Sequence, residues 1–349
     1  MNYLSMSFAQ SDAMMKIFIC EHACHPLAAD ADLLSSSDFR ADMLLNALLA
    51  DLSRIDGLSV TVMRLAGHGL RDLPDKVIVV MADGDDRAGT LLRCIDNADA
   101  VWPLAPESHG LLESISRTAL QNNKLLIGSS PEAVHLTGSK YLTSQALRAA
   151  GIAMVPTYFS TDLLPPNSTA WIVKPDDGAG CSDTHLFSSA ALAREWIGTR
   201  PACNVVLQPY VAGRPCSLSL MCGSNKVFLL GCSEQRVAAA DNQIHYLGST
   251  VNSISDSDGR LERLARRVVA AIPGLWGYVG IDIVITEQGP VVLGVNPRMT
   301  LCHGGLHDST GVNPAGMLVE MLRSGRCSEP RLQKNRQVSI DVHGGLPLH

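Results

Sequence analysis

The residues best suited to chemistry lie in one apolar stretch, residues 278–300. Asp282 stands among large aliphatic residues that alternate as in a β-strand, and a second apolar run ends in Asn296 and Arg298. Because alternate residues of an extended chain share a face, Asn296 and Arg298 face the same side. An acid, an amide oxygen and a guanidinium that converge there could hold a hard cation and a phosphate. A core hairpin with an Asp282–Arg298 salt bridge is an equally open interpretation.

A glycine-rich segment offers a second place for a phosphate. The predicted strand 171–174 ends in Lys174 and leads into the loop Asp177–Gly180. Small residues let this backbone approach a ligand and present several N–H groups, and Lys174 adds a positive charge. The lysine precedes the glycines, so the segment is neither a Walker A loop nor a dinucleotide-binding fingerprint. A flexible hairpin tip without a ligand is the open alternative.

Substrate contacts are predicted in two further segments. Residues 21–25 follow the first predicted strand, and loops at strand ends line the ligand crevices of open α/β sheets. We therefore expect Glu21 and His22 to face a substrate. His303, in the polar run after Arg298, is a third candidate.

The cysteines are typical of reduced thiols and do not suggest a disulfide framework, because they are scattered through predicted strands and loops. A zinc site from His22, Cys24 and His25, or from His303 and His307, is the least favoured interpretation, since no second cluster completes a zinc pattern. The ten cysteines stand at positions 20, 24, 94, 181, 203, 216, 222, 232, 302 and 327.

Composition is that of a globular chain with a substantial core. The 349 residues are 46 % hydrophobic and 18 % charged, with a formal net charge of −6. The negative charge and the lack of a basic run argue against a nucleic-acid partner. No apolar segment approaches the roughly 18–20 residues of a membrane span. Without a recognisable secretory signal, we expect a cytoplasmic protein that does not bind membranes.

Strands and helices alternate in the first part of the chain, which predicts a parallel sheet with helices on both faces. Glu107 follows the strand at 100–104 and so lies at a crevice position, although a charge at a helix N-terminus explains it equally well. The predicted strands are 16–20, 59–65, 77–81, 100–104 and 125–127, and the helices are 38–52, 84–98 and 111–121.

The second part of the chain begins with a predicted helix at 130–150, capped by Ser130, bent near Gly138 and carrying Lys140 in its middle. Residues 234–241 are expected to form a loop, and residues 326–349 a tail or a short edge segment. The other predicted strands are 171–174, 204–211, 216–222, 227–232, 245–250 and the hairpin 278–286 with 291–295, and the other helices are 258–271 and 313–322.

These motifs follow one another in the order of a known family. Lys140 in a helix, Lys174 before the glycine loop, the segment Gln208–Val211, and Asp282 before Asn296-Pro297-Arg298 all occur at suitable spacings. Over roughly residues 16–326 the chain resembles the ATP-grasp superfamily. The resemblance implies an α/β N-terminal domain followed by an α+β ATP-grasp domain whose two subdomains clasp ATP.

The resemblance also implies a role for each motif. Asp282 and Asn296 would be the metal ligands, for Mg²⁺ or alternatively Mn²⁺. Arg298 and Lys174 would be the catalytic residues, with Arg298 steadying the transferred phosphoryl group. The ATP-binding residues would be Lys140, Lys174, Asp177, Gly178, Ala179, Gly180, Gln208, Pro209, Tyr210 and Val211.

One position departs from the family pattern. Gly294 stands where the family usually has a glutamate that bridges two Mg²⁺ ions, and its loss should weaken the second metal site. Three explanations are open. The site works with Asp282, Asn296 and the ATP phosphates alone, a carboxylate such as Glu234 or Asp308 substitutes, or the chain is a weak or inactive ligase.

Within this superfamily, the chain resembles more specifically the carboxylate–amine ligases. This resemblance lies in short segments such as 208–217 and 246–248. It implies an ATP-dependent enzyme that joins a small carboxylate to an amine through an acylphosphate, in one-carbon (methanofuran-like) cofactor biosynthesis. The alternative is a nucleotide-binding protein of weak activity with a regulatory or partner role. A homodimer is compatible with either function.

The same resemblance gives domain boundaries. We expect a disordered leader at residues 1–15, a pre-ATP-grasp α/β domain at 16–129 and a lid-bearing ATP-grasp subdomain at 130–205. A second ATP-grasp subdomain would occupy residues 206–326, and a tail would occupy residues 327–349.

Overall fold

The fold was analysed in a computed structural model. It describes residues 14–21, 37–65, 74, 76–82, 86–166, 168, 170–200 and 204–342. Most of the predicted leader lies outside these ranges, and so do His22, Cys24 and His25. Among the described residues, no helix combines the length and apolar character needed to cross a lipid bilayer.

Five parallel strands in the described part of the N-terminal region form a sheet in the order β3-β2-β1-β4-β5. Alternate residues of β1 face opposite layers: Ile17 and Ile19 pack in the core cluster of α1, and Phe18 and Cys20 in that of α2 and α3. The predicted parallel sheet covered on both faces is confirmed. Its elements are β1 (Met15–Glu21), α1 (Ser37–Leu52), β2 (Leu58–Leu65), β3 (Val77–Ala82), α2 (Arg87–Asp96), β4 (Ala100–Leu104), α3 (Leu111–Gln121) and β5 (Leu125–Leu126).

A second, mainly antiparallel sheet has the strand order β13-β12-β9-β10-β11-β7-β6-β8, with β14 added to β11. Together the two sheets give the predicted α/β plus α+β architecture. Its elements are α4 (Pro131–Gly138), α5 (Lys140–Ala149), β6 (Trp171–Pro175), β7 (His185–Phe187), α6 (Ala190–Gly198), β8 (Val205–Pro209), β9 (Arg214–Cys222), β10 (Val227–Ala240), β11 (Gln243–Val251), α7 (Arg260–Ala271), β12 (Gly277–Thr286), β13 (Gly289–Asn296), α8 (His303–Thr310), α9 (Pro314–Ser324) and β14 (Val338–Asp341).

The bent helix is two helices in the structure. Ser139 has an extended backbone and accepts a hydrogen bond from the N–H of Leu142, so it ends α4 and caps α5. Lys140 is therefore the first residue of α5, and its predicted place in mid-helix is wrong. At this position its side chain starts next to the glycine loop, whose residue Asp176 accepts the Lys140 N–H at 3.1 Å.

Another segment differs from the prediction. Residues 234–240 of the expected loop at 234–241 form the second half of β10, which pairs with β11 through an irregularity between Arg236 and Val237. The C-terminal segment agrees with one of its two expectations, a short edge segment, because residues 338–341 form β14 and pair with residues 248–251 of β11. The predicted boundary between residues 205 and 206 falls inside β8. The domain boundaries otherwise stay a prediction.

Helix α1 joins the two halves of the protein. Leu45 and Leu48 share a core cluster with Leu306 of α8 and Leu318 of α9. Burial of a continuous apolar cluster holds these elements at a fixed separation. The edge of the N-terminal sheet is thereby set against the β12–β13 hairpin, where the predicted site residues lie.

Candidate active site

One cavity of about 730 Å³ lies between the N-terminal domain, the β12–β13 hairpin and the glycine loop. This volume is that of an ordinary small-molecule site. Its wall contains the residues predicted to bind nucleotide, metal and the transferred phosphoryl group: Lys140, Lys174, Asp177, Gly178, Ala179, Gly180, Gln208, Pro209, Tyr210, Val211, Asp282, Asn296 and Arg298.

Asp282 forms the polar corner of the hairpin. It pairs with Gly294 on β13, and Asn296 pairs with Gly280, two residues before Asp282, so the two side chains lie on one face of the hairpin. The side-chain N–H groups of Asn296 and Gln235 each donate to one of its carboxylate oxygens, both at 2.9 Å. The half-buried carboxylate is therefore paired with two amides, and the alternative interpretation, an Asp282–Arg298 salt bridge, is wrong. One carboxylate beside two amide groups is an oxygen-rich corner that suits Mg²⁺.

Arg298 turns away from this corner and pairs with Glu107. Its Nε and Nη2 lie 3.0 and 2.9 Å from Glu107 Oε2, and its Nη1 donates to the Met299 carbonyl at 3.2 Å. Glu107 follows β4, so the pair joins the N-terminal domain to the end of β13. Among the described residues, Glu107 Oε1 is buried without a hydrogen-bond partner.

Two lysines supply positive charge on the opposite side of the cavity. Burial, together with the charge of Lys174, lowers the pKa of Lys140 from 10.5 to about 7. Its Nζ donates to the carbonyl oxygens of Asp176 and Gly178 at 2.9 and 2.7 Å. Burial also lowers the pKa of Lys174. Two desolvated amines side by side favour an anion between them, because an anion restores their charged forms.

The glycine loop between β6 and β7 is fastened to the N-terminal domain. Ser108 Oγ donates to the Asp177 carbonyl at 2.8 Å, and the His109 N–H to the Asp177 carboxylate at 2.7 Å. Arg40 Nη1 donates to the Gly180 carbonyl at 3.0 Å. Gly180 has φ +62°, a left-handed backbone conformation that favours glycine. The loop thus forms a roof over the cavity.

The far end of the cavity is more apolar. Ile172, Leu186 and Leu293 line it beside the segment 208–211. Gln208 is buried and donates from Nε2 to Thr157 Oγ1 at 2.8 Å, which fixes the start of that segment. An apolar slot of this kind suits a flat heterocycle.

Comparisons with known proteins agree with this geometry. Family models for a pre-ATP-grasp domain and for an ATP-grasp domain match residues 58–134 and 137–301. The two matches together cover more than half of the 349 residues. The chain is an ATP-grasp protein. The sequence-based recognition of this superfamily is thereby confirmed.

Two curated relatives of this ATP-grasp protein are tyramine–L-glutamate ligases. That of Methanocaldococcus jannaschii is 27 % identical over 211 residues, which are 60 % of this chain and 59 % of the relative. That of Methanocaldococcus fervens is 24 % identical over 266 residues, 76 % of this chain and 81 % of the relative. The match to the first thus spans less than two thirds of that enzyme.

Solved structures show the same fold at low sequence identity. An ATP-grasp superfamily protein from Archaeoglobus fulgidus aligns with a TM-score of 0.69 at 20 % identity, covering 94 % of this chain and 92 % of that one. L-amino acid ligase from Bacillus licheniformis gives 0.67 at 16 %, covering 89 % and 74 %. The ADP complex of N5-carboxyaminoimidazole synthetase from Staphylococcus aureus gives 0.70 at 14 %, covering 95 % and 83 %.

The predicted substrate residues are not brought to the cavity of this ATP-grasp protein. Glu21 is buried beside Arg64, with 3.1 Å between the carboxylate and the guanidinium. His303 is 1 % exposed, because α8 directs it toward α1, where its Nε2 lies 3.2 Å from Asp51 Oδ2. Neither placement supports a substrate contact, and His22 lies outside the described residues.

The zinc alternative is not supported either. His303 and His307 both contact Asp51, His307 through Nδ1 at 2.7 Å. Burial raises the pKa of Asp51, but its contacts with the two histidines outweigh this effect and lower that pKa. Within the described residues, no group of three or more potential ligands could hold a metal ion.

Gly294 leaves the hairpin corner at Asp282 with a single carboxylate. A Cβ at this position would meet no atom within 4 Å, so the position faces the open cavity. The two proposed substitutes point elsewhere: Glu234 pairs with Arg214 at 2.5 Å, and Asp308 lies 3.6 Å from Arg336. Neither lines the cavity, so the explanation that one of them replaces the missing carboxylate is wrong.

Three cavity residues carried little or no sequence signal. Glu107 had only its place after a strand. Gln235 belongs to β10, where the sequence predicted a loop. Arg40 lies on α1 without a motif, and its guanidinium also lies 5.6 Å from the centre of the Tyr246 ring.

Proposed function

We propose that this ATP-grasp protein is an ATP-dependent ligase that joins a small carboxylate to an amine through an acylphosphate. One observation carries the proposal. Lys140, Lys174, Arg298 and the Asp282 corner border a single cavity under a fastened glycine loop. Charge neutralisation and positioning are what phosphoryl transfer requires of a protein.

The nucleotide would lie along the cavity. The apolar end beside 208–211 would take the adenine, and the two lysines with the loop N–H groups would bind the phosphates. Asp282 and Asn296 would hold a divalent cation, Mg²⁺ or Mn²⁺, with the Gln235 amide close by. Such a cation would neutralise phosphate charge when bound.

The reaction needs no nucleophile from the protein. A carboxylate oxygen of the acid attacks the γ-phosphorus, the bond to the bridging oxygen breaks, and ADP leaves. The amine then attacks the acylphosphate carbonyl carbon, and inorganic phosphate leaves with the electrons of the broken C–O bond. Arg298 would steady the transferred phosphoryl group. Burial raises the pKa of the Cys181 thiol in the loop, so it is poorly suited to act as a nucleophile.

The curated relatives support a first choice of substrates. Both are tyramine–L-glutamate ligases, so L-glutamate and tyramine are the acid and amine to test first. A place in methanofuran-like one-carbon cofactor synthesis belongs to the same proposal.

A second candidate function rests on Gly294. With one carboxylate at the metal corner, the protein could bind nucleotide and serve as a weakly active regulatory or partner subunit. Both functions require nucleotide in the cavity, but only the ligase requires turnover that depends on an acid and an amine.

The decisive experiment measures phosphate release with ATP and Mg²⁺, with L-glutamate and tyramine added singly and together, followed by mass spectrometry of the product. Release that needs both substrates, together with the mass of the amide, supports the ligase. Lys174→Ala should abolish it, whereas Lys124→Ala, an exposed lysine bonded to the Asp96 carbonyl, should not. The assay is then extended to all twenty amino acids as acids, with tyramine and the same amino acids as amines. If no pair causes phosphate release although ADP binds, the second function is favoured.

A further inference from the structure

Glu107 is a buried carboxylate placed in the wall of the cavity by the N-terminal domain. It follows β4, it is 8 % exposed, and its backbone carbonyl accepts the Gly110 N–H at 3.1 Å. The side chain does not cap the following helix, since α3 has Gly110 at its N-cap and no side-chain cap. A carboxylate kept out of water in this way is costly unless its oxygens are engaged.

Only one of the two carboxylate oxygens is engaged by the described residues. Oε2 accepts from both Nε and Nη2 of Arg298, whereas Oε1 is buried without a hydrogen-bond partner in the described part of the chain. Lys140 also interacts electrostatically with this carboxylate. The oxygen without a partner marks a place for a donor that enters the cavity with a ligand.

The chemistry of the cavity decides which donor this is. Arg298, the expected partner of the transferred phosphoryl group, lies about 3 Å from Glu107, so Glu107 borders the reacting end. A phosphate would be repelled by the carboxylate. A second cation would need further carboxylates, and the described residues around Glu107 include no such group. The remaining cationic participant in amide formation is the ammonium form of the attacking amine.

We propose that Glu107 binds the attacking amine through Oε1 and accepts its proton, an assignment that rests on the proposed ligase function. The ammonium R–NH3⁺ gives one proton to Glu107, and the neutral amine attacks the acylphosphate carbonyl carbon. When the C–O bond to phosphate breaks, a second nitrogen proton leaves with the phosphate as HPO4²⁻, and the amide remains. Glu107 then returns its proton to solvent. Arg298 keeps Oε2 occupied, which leaves Oε1 directed at the amine.

The test separates amine activation from acylphosphate formation. Hydroxylamine is largely unprotonated at neutral pH, so it traps an acylphosphate as a hydroxamate without a base. Wild type, Glu107→Gln and Glu113→Gln are each given ATP, Mg²⁺ and L-glutamate, with either tyramine or hydroxylamine. Glu107→Gln keeps a carbonyl oxygen for Arg298. Glu113 is a matched control because its carboxylate lies outside the cavity, where it pairs with Arg117 of α3 and His135 of α4.

We expect Glu107→Gln to slow amide formation at least about 100-fold, the usual effect of losing a general base, and to leave hydroxamate formation within a few-fold of wild type. Glu113→Gln should change neither. The retained hydroxamate reaction also shows that the variant is folded and binds ATP.

Other results overturn the assignment. An equal loss of both reactions would mean that Glu107 only positions Arg298, and an unchanged amide rate would mean that another group takes the proton. If the wild-type protein forms hydroxamate but no amide with tyramine or any amino acid, there is no amine substrate for Glu107 to bind, and the assignment fails. Wild type that forms neither product with any acid tested would refute the ligase function itself, and this assignment with it.

Discussion

The guanidinium of Arg40 donates to the carbonyl oxygen of Gly180, 140 positions further along the chain, and so ties the first helix of the N-terminal domain to the roof of the cavity. Two other contacts, from Ser108 and His109 to Asp177, serve the same purpose. The roof is therefore held by the N-terminal domain as well as by the subdomain that carries it. Its position should respond to changes in α1.

The Arg40 contact should slow opening of the loop. We expect Arg40→Met to lose about 1 kcal/mol of protection, roughly fivefold faster hydrogen exchange, in residues 176–184 without nucleotide. Exchange measured by mass spectrometry on loop peptides checks this. Arg93→Met, which removes an exposed arginine paired with Asp86, is the control. Unchanged exchange in the Arg40 variant would show that the other two contacts suffice.

Nucleotide binding should take up a proton near neutral pH. Lys140 has a pKa of about 7 in the free protein, so at pH 8 it is mostly neutral, and phosphate groups beside it would raise that pKa. ADP affinity should fall by up to about tenfold per pH unit above pH 7 and level off below it. Calorimetry in buffers with different heats of ionisation measures the proton uptake.

In Lys140→Arg the side chain stays charged between pH 7 and 9. The proton uptake on ADP binding and the pH dependence of ADP affinity that come from Lys140 should therefore disappear in this variant. A wild-type affinity that is constant between pH 7 and 9 would contradict a lowered Lys140 pKa.

A carboxylate added at position 294 should strengthen Mg²⁺ binding beside Asp282. A glutamate side chain has room there, because a Cβ on Gly294 meets no atom within 4 Å, and it would place a second carboxylate beside Asp282. We expect Gly294→Glu to lower, by about tenfold, the Mg²⁺ concentration that gives half-maximal thermal stabilisation by ADP. Gln288→Glu adds the same charge at the exposed hairpin turn and should have no effect. An unchanged titration for Gly294→Glu would place the metal elsewhere.

The Asp51–His303 pair should stabilise the interface between α1 and α8. Both side chains are at most 5 % exposed, and His303 Nε2 lies 3.2 Å from Asp51 Oδ2. His303→Ala removes one of the partners of Asp51 and a buried side chain, while His307 still contacts the carboxylate, so the variant should lose about 2 kcal/mol of stability. Chemical denaturation measures the loss. Asp308→Asn, at an exposed position on the same helix, is the control, and a His303 variant as stable as wild type would contradict this role.

Asp51 should also make the stability of the folded protein depend on pH. Its pKa is lowered in the folded protein, so its contribution to stability is complete above its ordinary pKa and is lost as pH falls through the folded value. Asp51→Asn should therefore narrow the difference in stability between neutral and acidic solution. An equal difference in both proteins would show that Asp51 titrates alike in the folded and unfolded chains.

The hairpin was predictable because its signal is local. Alternating isoleucines around Asp282, a turn with Gly289 and Pro290, and the spacing of Asn296 and Arg298 specify two strands and a shared face. The break between α4 and α5 was similarly marked by Gly138, although Lys140 is the first residue of α5 and does not lie in mid-helix.

The partners of these residues could not be predicted because they depend on distant contacts. Arg298 is paired with Glu107, 191 positions earlier, and this required the placement of one domain against the other. Gln235 reaches Asp282 because β10 continues past residue 234, in a segment whose strand structure comes from pairing with β11. Neither relationship has a local sequence signal.

Strand β14 gives residues 338–341 a structural role. It runs antiparallel to residues 248–251 of β11, and Arg236 of β10 reaches across to the Ile340 carbonyl at 2.9 Å. Shortening the protein before residue 338 would strip those β11 backbone groups of their partners, and an exposed strand edge recruits other chains. A C-terminal tag should therefore leave residues 338–341 intact, because their loss should lower the solubility of the protein before it affects catalysis.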